Sequence, residues 1–177
     1  MKAKSLLKEM QEQVQFNHLS VLGGISRAGF LGNLGHTGWT EIKVTVDSGA
    51  CDTVMPLSMC AHIPHLPSEM SKNGGVYEVA NKETIPNVGE RRCVVMTSNG
   101  GGEKRITFQI ADVHKPLLSI SKLADQGFAC VLTRDGGWLE HIETGERIPV
   151  QREGSLYTLN MWIKDDQDPG QGFGRQE

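Results

Sequence analysis

VTVDSGACDTVMP, residues 44–56, sets an acid at the end of an apolar strand and turns the chain at once behind it. Ile42, Val44 and Val46 alternate with Glu41, Lys43 and Thr45, the period of a strand with one buried face. Asp47 follows, then Ser48-Gly49-Ala50, then a second apolar run through Thr53, Val54 and Met55. Asp and Ser commonly begin turns for purely local reasons. Here the carboxylate is held between two core strands, Gly49 allows another backbone to come close, and Ser48 brings a hydroxyl.

Outward from this stretch, the chain is punctuated by turn signals. Asn81-Lys82, Asn87-Val88-Gly89 and Asn99 to Gly102 separate short strands between Gly74 and Val113. Leu117, Leu118, Ile120 and Leu123 predict one short helix stopped by Gly127. Two further hairpins turn at Asp135-Gly136-Gly137 and Thr144-Gly145, and GSLYTLNMWI, residues 154–163, reads as a terminal strand. Before Trp39, Leu6, Leu7, Met10 and Val14 mark an amphipathic helix, and residues 23–38 form a glycine-rich linker. The expected organisation is therefore a helix and linker over 1–38, a mostly β domain over 39–163, and a polar tail over 164–177. The 21 glycines in 177 residues agree with turn-rich β structure.

The bulk properties exclude several functions. A net charge of −3 offers no basic field for nucleic acid. No apolar run approaches the ~18 residues that span a bilayer, so no membrane partner is expected. The N-terminus lacks the apolar core of a signal peptide, and the scattered Cys51, Cys60, Cys93 and Cys130 suit free thiols in an intracellular, cytoplasmic protein. Cys51, Cys60, His62 and His65 have the spacing of no common zinc module, and Pro64 breaks any helix between the histidines. No metal and no cofactor is expected. Ser119-Ile-Ser-Lys122 lacks the companion motifs of penicillin-recognising enzymes, and Gly100 to Gly102 lacks the Lys-Ser/Thr of a phosphate loop.

Asp47-Ser48-Gly49-Ala50, with an apolar strand before it and Thr53-Val54 after it, resembles the active-site loop of retroviral-type (retropepsin-like) aspartic proteases. A second block, VHKPLLSISKLADQGFACVL over 113–132, is similar to that family's pair of aliphatics and small residue opening a short helix. PLLSISKLADQGF, TGERIPV and GSLYTL resemble in particular the protease region of copia-type retrotransposon polyproteins, and the likeness runs from Glu41 to Ile163. It implies a closed β-barrel of the acid-protease kind. It implies a catalytic Asp47 with Ser48 and Gly49, and substrate contacts from Ala50, Asp52, Val54, Leu117 and Leu118. It also implies a flap over Tyr77 to Gly89 that carries Tyr77, Ala80 and Asn81 to a polypeptide substrate.

Such chemistry needs two carboxylates, because one cannot act as acid and base toward the same water. Two held together share a proton. Asp52, Asp112 and Asp135 do not repeat the Asp-Ser-Gly turn, so the second carboxylate is expected from a second copy, with the site on a two-fold axis. Two departures from the family stand out. Cys51 and Ile120 take the places of an Asp–Arg pair and are expected to make a buried apolar contact, while Ser119 replaces a glycine. The competing reading is a catalytically silent retroelement-derived domain that serves as a binding or assembly module.

Overall fold

The computed structural model describes residues 38–166. The helix and linker expected before Trp39 lie outside the described residues, apart from Gly38, as does the tail beyond Asp166. Strand accounts for 50% of the described chain and helix for 8%, which makes the domain mostly β.

The strands are β1 (Trp39–Asp47), β2 (Val54–Met55), β3 (Val76–Glu78), β4 (Thr84–Pro86), β5 (Gly89–Thr97) and β6 (Lys104–Ile110). There follow β7 (Leu117–Ser119), β8 (Phe128–Thr133), β9 (Gly136–His141), β10 (Arg147–Glu153) and β11 (Leu156–Lys164). Two short helices join them, α1 (Glu69–Lys72) and α2 (Ile120–Asp125). Within 39–163 only one helix is expected from the sequence. The second, α1, is a single turn whose cap is local: Ser68 and Ser71 exchange backbone-to-hydroxyl bonds of 2.9 Å. The helix predicted from Leu117 begins only at Ile120, because Leu117–Ser119 is drawn into the sheet between β1 and β2. The terminal strand also runs one residue past its expected end, since Lys164 pairs with Trp39.

Nine strands form one sheet in the order β1-β7-β2-β6-β5-β11-β10-β9-β8, and β3 and β4 form a separate hairpin. β1 takes β11 antiparallel along Trp39–Thr45 and β7 parallel along Thr45–Asp47. β11 in turn pairs with β5 at Met161–Ile163, so the ladders β1-β7-β2-β6-β5-β11 return to the strand they began from. The β8–β9–β10 meander extends from β11.

Alternation along the strands turns one row of side chains inward to build the main core. Val44, Cys93, Val95, Phe108, Ile110, Leu118, Leu159 and Ile163 meet in the main core. Arg91 occupies an inward position of β5 and is only 2% exposed. Its guanidinium donates to the carbonyls of Leu57 and Ile63 at 2.9 Å and to that of Met59, clamping the irregular turn after β2. Burial pulls Arg91 below its ordinary pKa.

Candidate active site

Asp47 is the last residue of β1 and is half-buried, while Ser48 and Gly49 behind it are exposed. The Gly49 N–H donates to Asp47 Oδ1 at 2.7 Å, so the carboxylate is oriented by its own turn. A Cβ on Gly49 would lie 3.3 Å from that same oxygen, which leaves little room for any side chain there.

Beyond the turn, the chain is tied down from three directions. Asp47 is in register with Ser119 across the parallel β1–β7 ladder. Ser119 donates from its hydroxyl to the Ala50 carbonyl at 2.7 Å and from its N–H to Thr53 Oγ1 at 3.1 Å. Asp52 accepts a 3.1 Å hydrogen bond from the Tyr77 hydroxyl and lies 3.5 Å from Lys122 Nζ of α2. The loop therefore touches β7, α2 and the β3–β4 hairpin within six residues.

The hairpin has its own anchor. Tyr77 belongs to a small apolar cluster with Val54 and Ala111, against which Ile85, Leu117, Met70 and Val113 pack. Its hydroxyl accepts from Asn87 Nδ2 at 3.0 Å. Asn87 uses its whole amide: Nδ2 also donates to Gln109 Oε1 at 2.7 Å, and Oδ1 accepts from Ser68 Oγ and the Gly89 N–H at 2.8 and 2.9 Å. The backbone donor at Gly89 dictates which way the amide faces. Burial, with Asp52 beside it, pushes the Tyr77 phenol well above its ordinary value, so this hydroxyl stays protonated.

Thus Asp47, Ser48, Gly49, Ala50 and Asp52 share one loop, and Val54, Tyr77 and Leu117 share one cluster beside it. Ala80 and Asn81 are exposed at the hairpin tip, where Lys82 N–H closes the turn onto the Val79 carbonyl at 2.8 Å. Leu118 stands apart: at 2% exposure it is sealed in the main core, so its part is to hold β7 in place. Cys51 also departs from expectation. It is exposed, whereas Ile120 packs against the main core, so no buried Cys51–Ile120 contact replaces an ion pair within the chain.

Of Cys51, Cys60, His62 and His65, Cys60 is buried and His62 turns to Asp165 at 3.1 Å. Among the described residues no cluster of three or more His, Cys, Asp or Glu is arranged to hold a metal ion, and no helix is long and apolar enough to cross a membrane. The sequence reading missed Asn87 and Ser68. In the sequence Asn87 reads only as part of a turn, whereas Ser68 is signalled by Pro67-Ser68-Glu69, a cap residue with an acid in the first turn. Comparison with protein-family models, with curated proteins and with solved structures finds no match to this chain.

Proposed function

We propose that the chain is one subunit of a homodimeric aspartic endopeptidase of the retropepsin-like kind, acting on peptide bonds of a retroelement polyprotein. The observation that carries this reading is the Asp47 turn: a half-buried carboxylate at a core-strand end, oriented by Gly49 and braced by β7, α2 and a hairpin. The ladders that return from β11 to β1 support the closed barrel of such enzymes. The β3–β4 hairpin, tied to the same loop through Tyr77 and Asp52, suits a flap that covers substrate and excludes water.

In this reading two Asp47 side chains, one from each copy, hold a water between them and share one proton. One carboxylate takes a proton from the water as its oxygen attacks the scissile carbonyl carbon, and the other gives its proton to the carbonyl oxygen. Collapse of the tetrahedral centre breaks the C–N bond: the carboxyl that took the water's proton gives it to the leaving nitrogen, and one hydroxyl of the centre returns its proton to the other carboxylate, restoring the shared proton.

Replacement of Asp47 by Asn tests this directly. Asp47→Asn is expected to abolish peptide cleavage and titration by a statine-type transition-state mimic while leaving the far-UV CD spectrum unchanged. Specific activity of the unaltered protein is expected to fall on dilution through the dimer dissociation constant. Undiminished cleavage by Asp47→Asn, or a constant rate from a species that sediments as a monomer, would overturn the reading. Peptide binding without cleavage by the unaltered protein would favour a binding module instead.

A further inference from the structure

We infer that Ser119 is a positioning residue for Asp47, an inference that rests on the catalytic reading of that side chain. Ser119 has no exposed surface, and the large majority of hydroxyls buried in this way are hydrogen-bonded. It has one proton to give and two lone pairs. The Ala50 carbonyl, 2.7 Å away, can only accept, so the proton goes there. The lone pairs then face the Lys122 N–H at 3.4 Å and the Ser121 hydroxyl at 3.0 Å, which must be the donor of that pair. One hydroxyl thus joins the first turn of α2 to the peptide three residues beyond Asp47.

The Ser119 backbone N–H holds Thr53 Oγ1, so the loop is pinned on both sides of Cys51 and Asp52. Between the pin at Ala50 and the strand end at Asp47 lies Gly49, whose N–H sets the carboxylate. Releasing Ala50 frees the Gly49 peptide to rotate, and the carboxylate turns with it. The hydrogen bonds of Ser119 run to Ala50, Thr53, Ser121 and Lys122 and not to the Asp47 carboxylate. Ser119 acts through the loop, where a glycine could offer the same backbone N–H but no latch.

The experiment compares the unaltered protein with Ser119→Ala and Ser119→Thr. Each is followed by steady-state cleavage, amide hydrogen exchange over Gly49–Asp52, and urea unfolding. Ser119→Ala is expected to lower kcat by about ten- to a hundredfold, the loss that follows a misplacement of order 1 Å. KM is expected to change little, exchange in the loop to accelerate, and the urea midpoint to move far less than kcat. Ser119→Thr, which keeps the hydroxyl, is expected to restore kcat and exchange together. Unchanged kcat and unchanged loop exchange in Ser119→Ala would overturn the inference. So would a loss of kcat that merely tracks unfolding and is not rescued by Ser119→Thr. If the unaltered protein proves inactive, the proteolytic reading fails by itself. The exchange comparison then still decides the latch: faster exchange in Ser119→Ala alone supports it, and equal exchange refutes it.

Discussion

Cys93 sits on β5 with no exposed surface, one strand position from Cys60's neighbour Arg91 in the alternating inward row. Burial pushes its thiol from 9.0 up to about 12, with Cys60 adding to the rise and Arg91 opposing it. The direction fixes the sign of a pH effect. The folded chain disfavours the thiolate, so the stability tied to the neutral thiol is complete below about 9 and is lost as pH climbs toward about 12. Tyr77, raised for the same first cause, adds to the loss above its ordinary value of 10.0. The urea midpoint should therefore decline on the alkaline side, and Cys93→Ala, though less stable at neutral pH, should decline less steeply. A midpoint that stays level through this window would show that the thiol is solvated when folded. Cys51 is exposed, and Cys51→Asp should leave folding of the single chain nearly unaffected.

The β3–β4 hairpin is held at its base by an asparagine. Removing that amide leaves the Gly89 N–H and the Ser68 hydroxyl proton without the acceptor they share, and takes one partner each from Tyr77 and Gln109. Asn87→Ala should destabilise the domain by roughly 1–3 kcal/mol for each buried partner left unsatisfied. Tyr77→Phe, which breaks only the bonds to Asp52 and Asn87, should cost about 1 kcal/mol. Both should speed amide exchange in the hairpin before they affect β1, and equal exchange everywhere would mean that the hairpin is not a separable unit.

Much at this scale was legible in the sequence. The alternation of β1, the turns at Asn81-Lys82 and Thr144-Gly145, and the Asp-Ser-Gly turn follow from local pattern, which governs the neighbours of each residue. Arg91 was not legible, because Glu90-Arg91-Arg92 reads as surface charge until the carbonyls of Leu57, Met59 and Ile63 arrive from another segment. Nor was the helix start, since Leu117–Ser119 has helical spacing and was won by partners on either side. Contacts between distant segments outweighed local preference in both cases.

Across the whole molecule, β1 and β11 set the first and last described strands side by side. Trp39 pairs with Lys164, the Asp165 N–H donates to the Gly38 carbonyl at 2.9 Å, and Thr40 Oγ1 bonds the Asp165 carboxylate. Linking residue 166 to residue 38 by a short Gly/Ser bridge, with new ends cut between the exposed Gly100 and Gly101, should give a permuted domain that unfolds cooperatively near the parent's urea midpoint. Loss of cooperative unfolding would mean that the β5–β6 connection holds the sheet in a way its exposure does not suggest.

The same adjacency has a mechanical meaning. A tether attached to residue 38 and another to residue 165 would grip an antiparallel pair at the same end. Tension between them would peel β1 from β11 one rung at a time, beginning at Trp39 and Lys164, because no geometry lets the whole ladder bear the load at once. The last rungs reached would be Val44 with Leu159 and Thr45 with Thr158, two residues short of Asp47. Stretching the flanking chain would thus act as a zipper pulled toward the Asp47 turn.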